Sequence, residues 1–136
     1  MFGFSLLTPG DNDHSFKAAL LEFDNEFKLI ADPSWNGVDV NAAMFMEEHL
    51  KETNAILLSH STAEFISGFI LLCIKFPILM SSIPVYSTLP VNQLGRVSTV
   101  EYYRAMGFLG PVDSAILELD EVDNWFDKVN LLKYQQ

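Results

Sequence analysis

The sequence predicts an α/β fold in which a mixed β-sheet is flanked by helices. A hairpin-like pair of apolar segments opens the chain, and short apolar strands then alternate with longer helical stretches. Hydrophobic residues make up 49% of the 136 positions, and 11 residues are Phe. This composition provides enough apolar surface for a packed core, so a disordered chain is not expected.

The opening part of the chain is predicted to form strands. Phe2–Leu7 is β-prone, and apolar residues at 17–23 and 27–31 predict two further strands. Asp24-Asn25-Glu26 between the latter two has the composition of a hairpin turn. A loop, Asp32-Pro33-Ser34-Trp35-Asn36-Gly37, is expected directly afterwards.

The rest of the chain is predicted to alternate strands with helices. Ala55–Leu58 and Pro84–Ser87 are short apolar segments, typical of strands buried on both faces. Capping residues and apolar periodicity predict helices at 42–51, 62–74, 98–107 and 121–130. Their expected N-caps include Asn41, Thr62, and Ser98 or Thr99. Gly107 and Gly110 are expected to end the third helix, and a turn is expected near Pro77.

The charge balance argues against some partners. The chain has 8 Lys and Arg against 18 Asp and Glu, for a formal net charge of −10. It therefore repels phosphate backbones and anionic membranes on average, so if the protein handles RNA, this segment is not expected to be where it contacts it. The apolar run 66–85 is broken by Lys75, Pro77 and Pro84, so it is expected to be buried and not to span a membrane.

Two further features concern the compartment. Met1–Pro9 has no basic region and no small-residue cleavage site, so a signal peptide is not expected. Cys73 is the single cysteine, which excludes an internal disulfide and a thiolate zinc cluster. A buried, inert thiol in a reducing compartment is the expected state.

One segment has the arrangement of a catalytic site. A short apolar strand at 55–58 leads into Ser59-His60-Ser61-Thr62-Ala63-Glu64-Phe65, where a helix begins. This arrangement resembles the metallo-β-lactamase superfamily, which places His-x-His-x-Asp-His at such a strand end. There the strand-end histidines face one metal and the residues at the helix start reach a second, so that the pair activates a water molecule.

The residues at those positions differ from the superfamily's motif. His60 matches the first histidine, whereas Thr62, Glu64 and Phe65 stand at the second histidine, the aspartate and the last histidine. Threonine is a poor zinc ligand and phenylalanine is none. The resemblance therefore implies a degenerate site with no metal, no cofactor and no catalytic residue. His14 and His49, the other two histidines, have no spaced partner.

The resemblance extends beyond this motif. Leu29–Trp35 is similar to the strand and Asp turn that precede the metal motif, with Asp32 as a vestigial position. Pro84–Val91, Leu94–Thr99 and Leu131–Gln136 are similar to segments of fungal members of one family, subunit 2 of the cleavage and polyadenylation specificity factor. This family belongs to the β-CASP branch of the superfamily.

That resemblance implies a role and a set of partners. Subunit 2 is the catalytically degenerate paralogue of a zinc-dependent endonuclease that cuts pre-mRNA at the polyadenylation site, and it pairs with that endonuclease in a nuclear complex. The implied function is a non-catalytic structural subunit that binds the active endonuclease and other subunits. Residues 1–136 are then the N-terminal portion of an αββα sandwich, incomplete, with the β-CASP and C-terminal regions absent.

Two other functions remain open from the residues. The first is a metal-dependent hydrolase or nuclease with an altered ligand set made of His60, Glu64 and Asp32. The second is a truncated product without a function of its own. The loss of the metal site is read from the residues once they are laid on the motif, whereas the assigned role depends on the family resemblance.

Several single residues also allow two interpretations. His60 is a relic ligand or a hydrogen-bonded strand-end histidine, and Glu64 binds metal or favours the helix N-terminus. Asp32 holds a nearby loop, or it is a remnant of the residues that support the metal ligands in the superfamily. Trp35 anchors a partner or packs over the sheet, and Arg96 binds phosphate or forms an ion pair.

The tyrosine pair and the acidic residues near the end of the chain also allow more than one interpretation. Tyr102 and Tyr103 stack on RNA bases or belong to the core or surface. The acidic residues near the end form a solvated helix face, a docking surface or a metal cluster. They are Glu118, Asp120, Glu121, Asp123 and Asp127.

Overall fold

The computed structural model describes residues 2–10, 12–24, 26–108 and 119–132. Its strands are β1 (Phe2–Leu7), β2 (Phe16–Phe23), β3 (Phe27–Trp35), β4 (Ala55–Leu57), β5 (Val85–Thr88) and β6 (Asn130–Leu132). Its helices are α1 (Glu47–Glu52), α2 (Ala63–Lys75), α3 (Pro77–Ser82), α4 (Leu89–Ala105) and α5 (Leu119–Asp127), with a 3₁₀ turn at Met44–Met46. Asn25, Gly110, Glu118 and residues 133–136 lie outside the described residues.

The described strands form one mixed sheet in the order β1-β2-β3-β4-β5-β6. The β1–β2 and β2–β3 pairs are antiparallel, and the pairs from β3 to β6 are parallel. Each parallel connection runs through at least one helix, as parallel strands require. The expected mixed sheet with flanking helices is therefore present.

Strand β3 is longer than the sequence predicts. It was expected to end at Ala31 and give way to a loop at 32–37, but it continues to Trp35. Lys17 pairs with Ser34 and Ala19 pairs with Ala31, so the strand accommodates Asp-Pro as a β-bulge opposite Ala18. Proline is tolerated within a sheet at such a bulge.

Two helices differ from the predictions because local start signals were misassigned. The helix expected from Ser98 or Thr99 begins at Leu89, where the Thr88 side chain accepts a hydrogen bond from the Val91 amide. Pro90 in its first turn is a favourable start residue. The turn expected near Pro77 is present at Phe76, which is not helical (φ −132°, ψ 60°), but Pro77 then begins a short helix, α3, that was not expected.

Two segments near the predicted first and last helices also differ. The first was expected over 42–51, but a 3₁₀ turn precedes an α-helix that begins at Glu47. The last was expected to reach Asn130, but α5 ends at Asp127 and Asn130 starts β6, which pairs with β5. The predicted start of α2 after Thr62 is confirmed.

Helix α2 supplies the centre of the core. Ile66 to Cys73 are all buried, and the helix packs against β3. Burial raises the pKa of the Cys73 thiol well above its usual value, which fits the expected inert cysteine. Within the described residues, no helix has both the length and the apolar character to cross a bilayer.

Gly68 allows the close approach of α2 to β3. A Cβ atom at this position would lie 2.6 Å from Phe16 Cε2, and 2.9 Å from both the Pro33 carbonyl carbon and the Ser34 nitrogen. Two of these neighbours are backbone atoms, which have little freedom to move away. Glycine is therefore required where the helix crosses the bulged strand.

The opposite face of β1–β3 is apolar and open to solvent. We call Phe2, Phe4, Leu6, Phe23 and Phe27 the open sheet face; each is between 40% and 65% exposed. The strand register aligns them, because Phe2 pairs with Phe23 and Phe23 pairs with Phe27. Their rings also touch, with centroids 5.2 Å apart for the first pair and 6.1 Å for the second. A contiguous apolar surface of this kind is unusual for a free protein surface.

Candidate functional site

The residues that resemble the metal motif lie beyond the C-terminal end of β4. Ser59 and His60 follow that strand, and Asp32 lies in the bulge of the neighbouring strand β3. Asp32 has a φ of 50°, in the left-handed region, which Asp tolerates better than most residues. The bulge turns its side chain toward the segment that follows β4.

Asp32 is the centre of a hydrogen-bonded cluster. Its Oδ1 accepts a 2.7 Å hydrogen bond from the Ser59 backbone amide, and its Oδ2 contacts the Ser59 hydroxyl. The same Oδ2 lies 3.2 Å from His60 Nδ1. Asp32 thus holds the loop that contains Ser59, which is one of its two interpretations. Its carboxylate also lies next to Nδ1 of the His60 imidazole.

His60 is held on two sides. Ser59 Oγ lies 2.9 Å from the same Nδ1 atom that faces Asp32. The Phe65 ring, in the first turn of α2, stacks on the imidazole with centroids 4.2 Å apart and an interplanar angle of 23°. The His60 side chain remains 53% exposed, whereas that of Asp32 is 17% exposed. His60 is thus a hydrogen-bonded residue at the strand end.

The cluster does not form a serine–histidine–aspartate nucleophile. In such a triad the serine and the aspartate bind different nitrogen atoms of the imidazole, so that one activates and the other orients. Here Ser59 and Asp32 both face Nδ1. The arrangement therefore fixes the loop and does not activate the Ser59 hydroxyl.

Thr62 and Glu64 lie apart from this cluster. Thr62 is the N-cap residue of α2, although its side chain makes no capping hydrogen bond. Glu64 is exposed in the first turn of that helix, where a negative charge favours the helix dipole. It lines a separate cleft of about 240 Å³ together with Lys17 and Tyr102.

The side chains at this edge do not fit a two-metal site. Thr62 offers only a weak hydroxyl donor, and Phe65 offers no donor. The proposed alternative set of Asp32, His60 and Glu64 is not brought together: among the described residues, no three His, Cys, Asp or Glu side chains are grouped closely enough to hold a metal ion. The physical reason is that Glu64 lines a cleft to which neither Asp32 nor His60 contributes.

Trp35 and Tyr103 belong to the core, and Tyr102 packs against it. Trp35 is 3% exposed, and its Nε1 donates a 3.0 Å hydrogen bond to the Asp39 carbonyl oxygen. Tyr103 is fully buried and donates a hydrogen bond of 2.6 Å to the Ser67 carbonyl oxygen, while Tyr102 donates to the Trp35 carbonyl oxygen at 2.5 Å. Tyr103 therefore has no exposed ring face for stacking on bases, whereas Tyr102 is partly exposed and has its hydroxyl engaged by the Trp35 carbonyl oxygen.

Arg96 forms ion pairs between helices α4 and α5. Its Nη1 lies 2.9 Å from Asp127 Oδ1 and 3.4 Å from Asp123 Oδ1, and its Nη2 donates a 2.7 Å hydrogen bond to Asn92 Oδ1. The ion-pair interpretation of Arg96 is therefore confirmed. It also accounts for two members of the acidic stretch, which face this guanidinium.

Two serines with structural roles were not singled out by sequence reasoning. Ser59 links Asp32 to His60, and its position directly before His60 is the signal that would have identified it. Ser67 both accepts from the Trp35 amide and donates to the Trp35 carbonyl oxygen, each at 2.8 Å. Nothing local in the sequence marks Ser67, because its partner is 32 residues away.

The Asp32→Ala substitution is expected to lower the free energy of unfolding by about 2 kcal/mol, because it leaves the Ser59 amide without its acceptor. Asp32→Asn is the matched control, since it keeps an acceptor oxygen and tolerates the left-handed backbone. It is expected to cost about half as much. Urea unfolding followed by circular dichroism measures both. An Asp32→Ala variant as stable as the wild type would contradict this role.

Known proteins similar to this chain were found by sequence and by structure. The family model described as "Metallo-beta-lactamase superfamily domain" matches residues 20–136. "Cleavage factor two protein 2" of Saccharomyces cerevisiae is 36% identical over 130 residues, which covers 93% of this chain and 15% of that protein. "Probable cleavage and polyadenylation specificity factor subunit 2" of Drosophila melanogaster is 28% identical over 128 residues, covering 93% and 16%.

The structural comparison agrees on the fold. The crystal structure of TTHA1623 in a di-iron-bound form has a TM-score of 0.52 and 17% sequence identity, and the match covers 97% of this chain and 55% of that one. The chain thus spans 15% and 16% of the two curated relatives. The resemblance to relatives of these names, predicted from the residues, is confirmed. By its sequence match and its fold, the chain belongs to the metallo-β-lactamase superfamily.

Proposed function

We propose that this chain is the N-terminal portion of the metallo-β-lactamase-like domain of a non-catalytic structural subunit in the pre-mRNA 3′-end cleavage and polyadenylation complex. The observation that carries the proposal is the state of the strand-end site. His60 is hydrogen-bonded through Nδ1 and covered by the Phe65 ring. The names of the relatives, a cleavage factor protein and a specificity factor subunit, support the process.

The altered motif supports the non-catalytic part. A metal-dependent hydrolase needs enough ligand side chains, typically three for a catalytic zinc, to hold the metal that activates a water molecule. Thr62, Glu64 and Phe65 replace a histidine, an aspartate and a histidine. The Asp32–Ser59–His60 hydrogen bonds and the Phe65 stack hold the loop that metal coordination would otherwise hold. The segment therefore serves as a structural element.

The proposal includes partners and a compartment. The subunit binds the active β-CASP endonuclease and other subunits of the complex, and it works in the nucleus. Pre-mRNA is reached through the complex and not through this segment. The net charge of −10 supports this, because it disfavours phosphate contacts. The engagement of Arg96 with Asp123 and Asp127 supports it further.

A second candidate is a metal-dependent nuclease with an altered ligand set. The observation in its favour is the 3.2 Å contact between Asp32 and His60, which resembles the carboxylate behind a metal-binding histidine. The position of Glu64 in a separate cleft weighs against it. The two candidates differ in whether His60 is needed for any cleavage.

A nuclease assay distinguishes the two candidates. Full-length protein purified alone is incubated with an RNA that contains a polyadenylation site, with and without a chelator. We expect no cleavage by the wild type or by His60→Ala, and a melting temperature that the chelator leaves unchanged, since no bound metal stabilises the fold. RNA cleavage that His60→Ala abolishes would overturn the proposal in favour of the nuclease.

The proposed binding to the endonuclease and other subunits requires a separate measurement. Co-purification of the full-length protein with the endonuclease and other subunits from nuclear extract is expected for the wild type and for His60→Ala alike. The proposal is supported if both the wild type and His60→Ala keep their partners and neither cleaves RNA. Full-length protein that never co-purifies with the endonuclease would contradict the scaffold role even if it cuts no RNA.

A further inference from the structure

A second cleft lies at the opposite end of the sheet from Asp32 and His60. It has a volume of about 270 Å³ and sits between α3, α5 and the first residues of β5 and β6. Val85 and Asn130 begin those two strands, whereas His60 follows the C-terminal end of the parallel neighbour β4. The cleft is therefore separate from the strand-end site.

The floor of the cleft is apolar. It is formed by buried side chains: Phe69, Met80, Ile83, Val85 and Val129. Pockets for drug-sized ligands run from about 300 to 1,000 Å³, so this cleft is just below that range. It has room for one amino-acid side chain, and a whole nucleotide cofactor exceeds it. An aromatic or branched apolar side chain fits such a floor best.

The rim carries one charge, and its sign is informative. Of the residues that the structure shows lining the cleft, Lys128 is the charged one, in a chain whose net charge is −10. Its Nζ lies 4.4 Å from the centroid of the Trp125 ring, which holds the ammonium at the rim. A carboxylate on a bound partner would be complementary to this position.

The polar side chains at the rim of the cleft already donate hydrogen bonds to backbone carbonyl oxygens of the protein. Ser81 Oγ donates to the Pro77 carbonyl oxygen and Ser82 Oγ donates to the Leu79 carbonyl oxygen. Asn130 Nδ2 donates to the Val85 carbonyl oxygen. With these donors occupied, the recognition that the rim offers comes chiefly from Lys128 and from the Trp125 ring.

From these observations we infer that this cleft is a docking site for a peptide segment of a partner protein. The segment inserts one aromatic or branched apolar side chain, and the carboxylate of a neighbouring Asp or Glu pairs with Lys128. The inference goes beyond the proposed function, since it assigns a surface that is independent of the strand-end site and of the identity of the complex.

The test uses two dipeptides that differ in one charge. The ¹⁵N-labelled 136-residue chain is titrated with N-acetyl-Phe-Asp-amide and with N-acetyl-Phe-Asn-amide, and the indole N–H signals are followed by nuclear magnetic resonance. We expect saturable shifts of the Trp125 signal, with Trp35 unmoved, and a Kd near 1 mM for the aspartyl peptide. The asparaginyl peptide is expected to bind about two- to fivefold more weakly, as an exposed ion pair allows.

Two variants complete the test. Lys128→Gln is expected to make the two dipeptides bind equally, and Ser82→Phe, at an exposed rim position, is expected to block both. An unmoved Trp35 signal verifies that each variant is folded. The inference is overturned if Trp125 does not respond, if the wild type binds both dipeptides equally, or if the preference for aspartate survives in Lys128→Gln.

Discussion

Replacing Gly68 by valine is expected to abolish the folded state. Even the Cβ of alanine would lie 2.6 Å from Phe16 Cε2 and 2.9 Å from two backbone atoms of β3. Overpacking of a core costs about 1–3 kcal/mol where side chains can yield, and more where they cannot. We therefore expect Gly68→Ala to lower the free energy of unfolding by about 3 kcal/mol, despite alanine's higher helix propensity.

Gly95 provides the matched control for this prediction. A Cβ there would lie 2.8 Å from Ile66 Cδ1, the far end of a flexible side chain, with the next neighbour at 3.6 Å. Gly95 lies within α4, so alanine also gains about 1 kcal/mol of helix propensity, which offsets the contact. Urea unfolding of both variants is the measurement. Equal stabilities for Gly68→Ala and Gly95→Ala would show that the approach of α2 to β3 does not require glycine.

The open sheet face is expected to make the 136-residue chain associate in solution. Its five side chains form a continuous apolar surface on β1–β3, and because each is already partly buried, covering the rest contributes roughly 1 kcal/mol per side chain. We expect the triple variant Phe2→Ser, Phe4→Ser and Phe27→Ser to weaken association by at least about 100-fold.

Sedimentation velocity over a range of protein concentrations measures this effect. The matched control is Ile78→Ser on α3, because Ile78 is 86% exposed but lies away from the open sheet face. This control is expected to sediment like the wild type. A wild-type chain that remains monomeric at all concentrations, or a triple variant that associates equally, would contradict the prediction.

Local signals predicted the opening of the fold better than its later parts. Strand β1 and the hairpin were predicted because apolar runs and turn residues lie next to each other in sequence. The extension of β3 through Pro33 was not, because the bulge that accommodates it depends on the register with β2. Strand β6 was missed because its three residues are stabilised by pairing with β5, more than 40 positions earlier.

Some misassignments had signals in the sequence. Thr88 followed by Pro90 is a favourable helix start, and this pair marks the beginning of α4 in the sequence. Ser98 and Thr99 are also residue types that are common at N-caps, but both lie inside the helix. There the Ser98 hydroxyl donates to the Ser61 carbonyl oxygen, which ties α4 to the strand-end segment.

The sequence indicated the segment in which the candidate site lies, but not the contacts that its side chains make. The spacing of His60, Thr62, Glu64 and Phe65 after an apolar strand indicated where it lies. The cluster that Asp32 forms with Ser59 and His60 joins residues 27 and 28 positions apart, and no local pattern encodes that contact. The stack of Phe65 on His60 likewise depends on how the first turn of α2 is oriented.

The central claim is that the strand-end segment is structural and binds no metal. Its most direct test is the zinc content per chain of purified full-length protein, measured by inductively coupled plasma mass spectrometry. A variant with Thr62→His, Glu64→Asp and Phe65→His restores the superfamily's motif and serves as the positive control. The account predicts zinc near zero in the wild type and a clear increase in the restored variant. Stoichiometric zinc in the wild type that is lost in His60→Ala would contradict the structural role proposed for this segment.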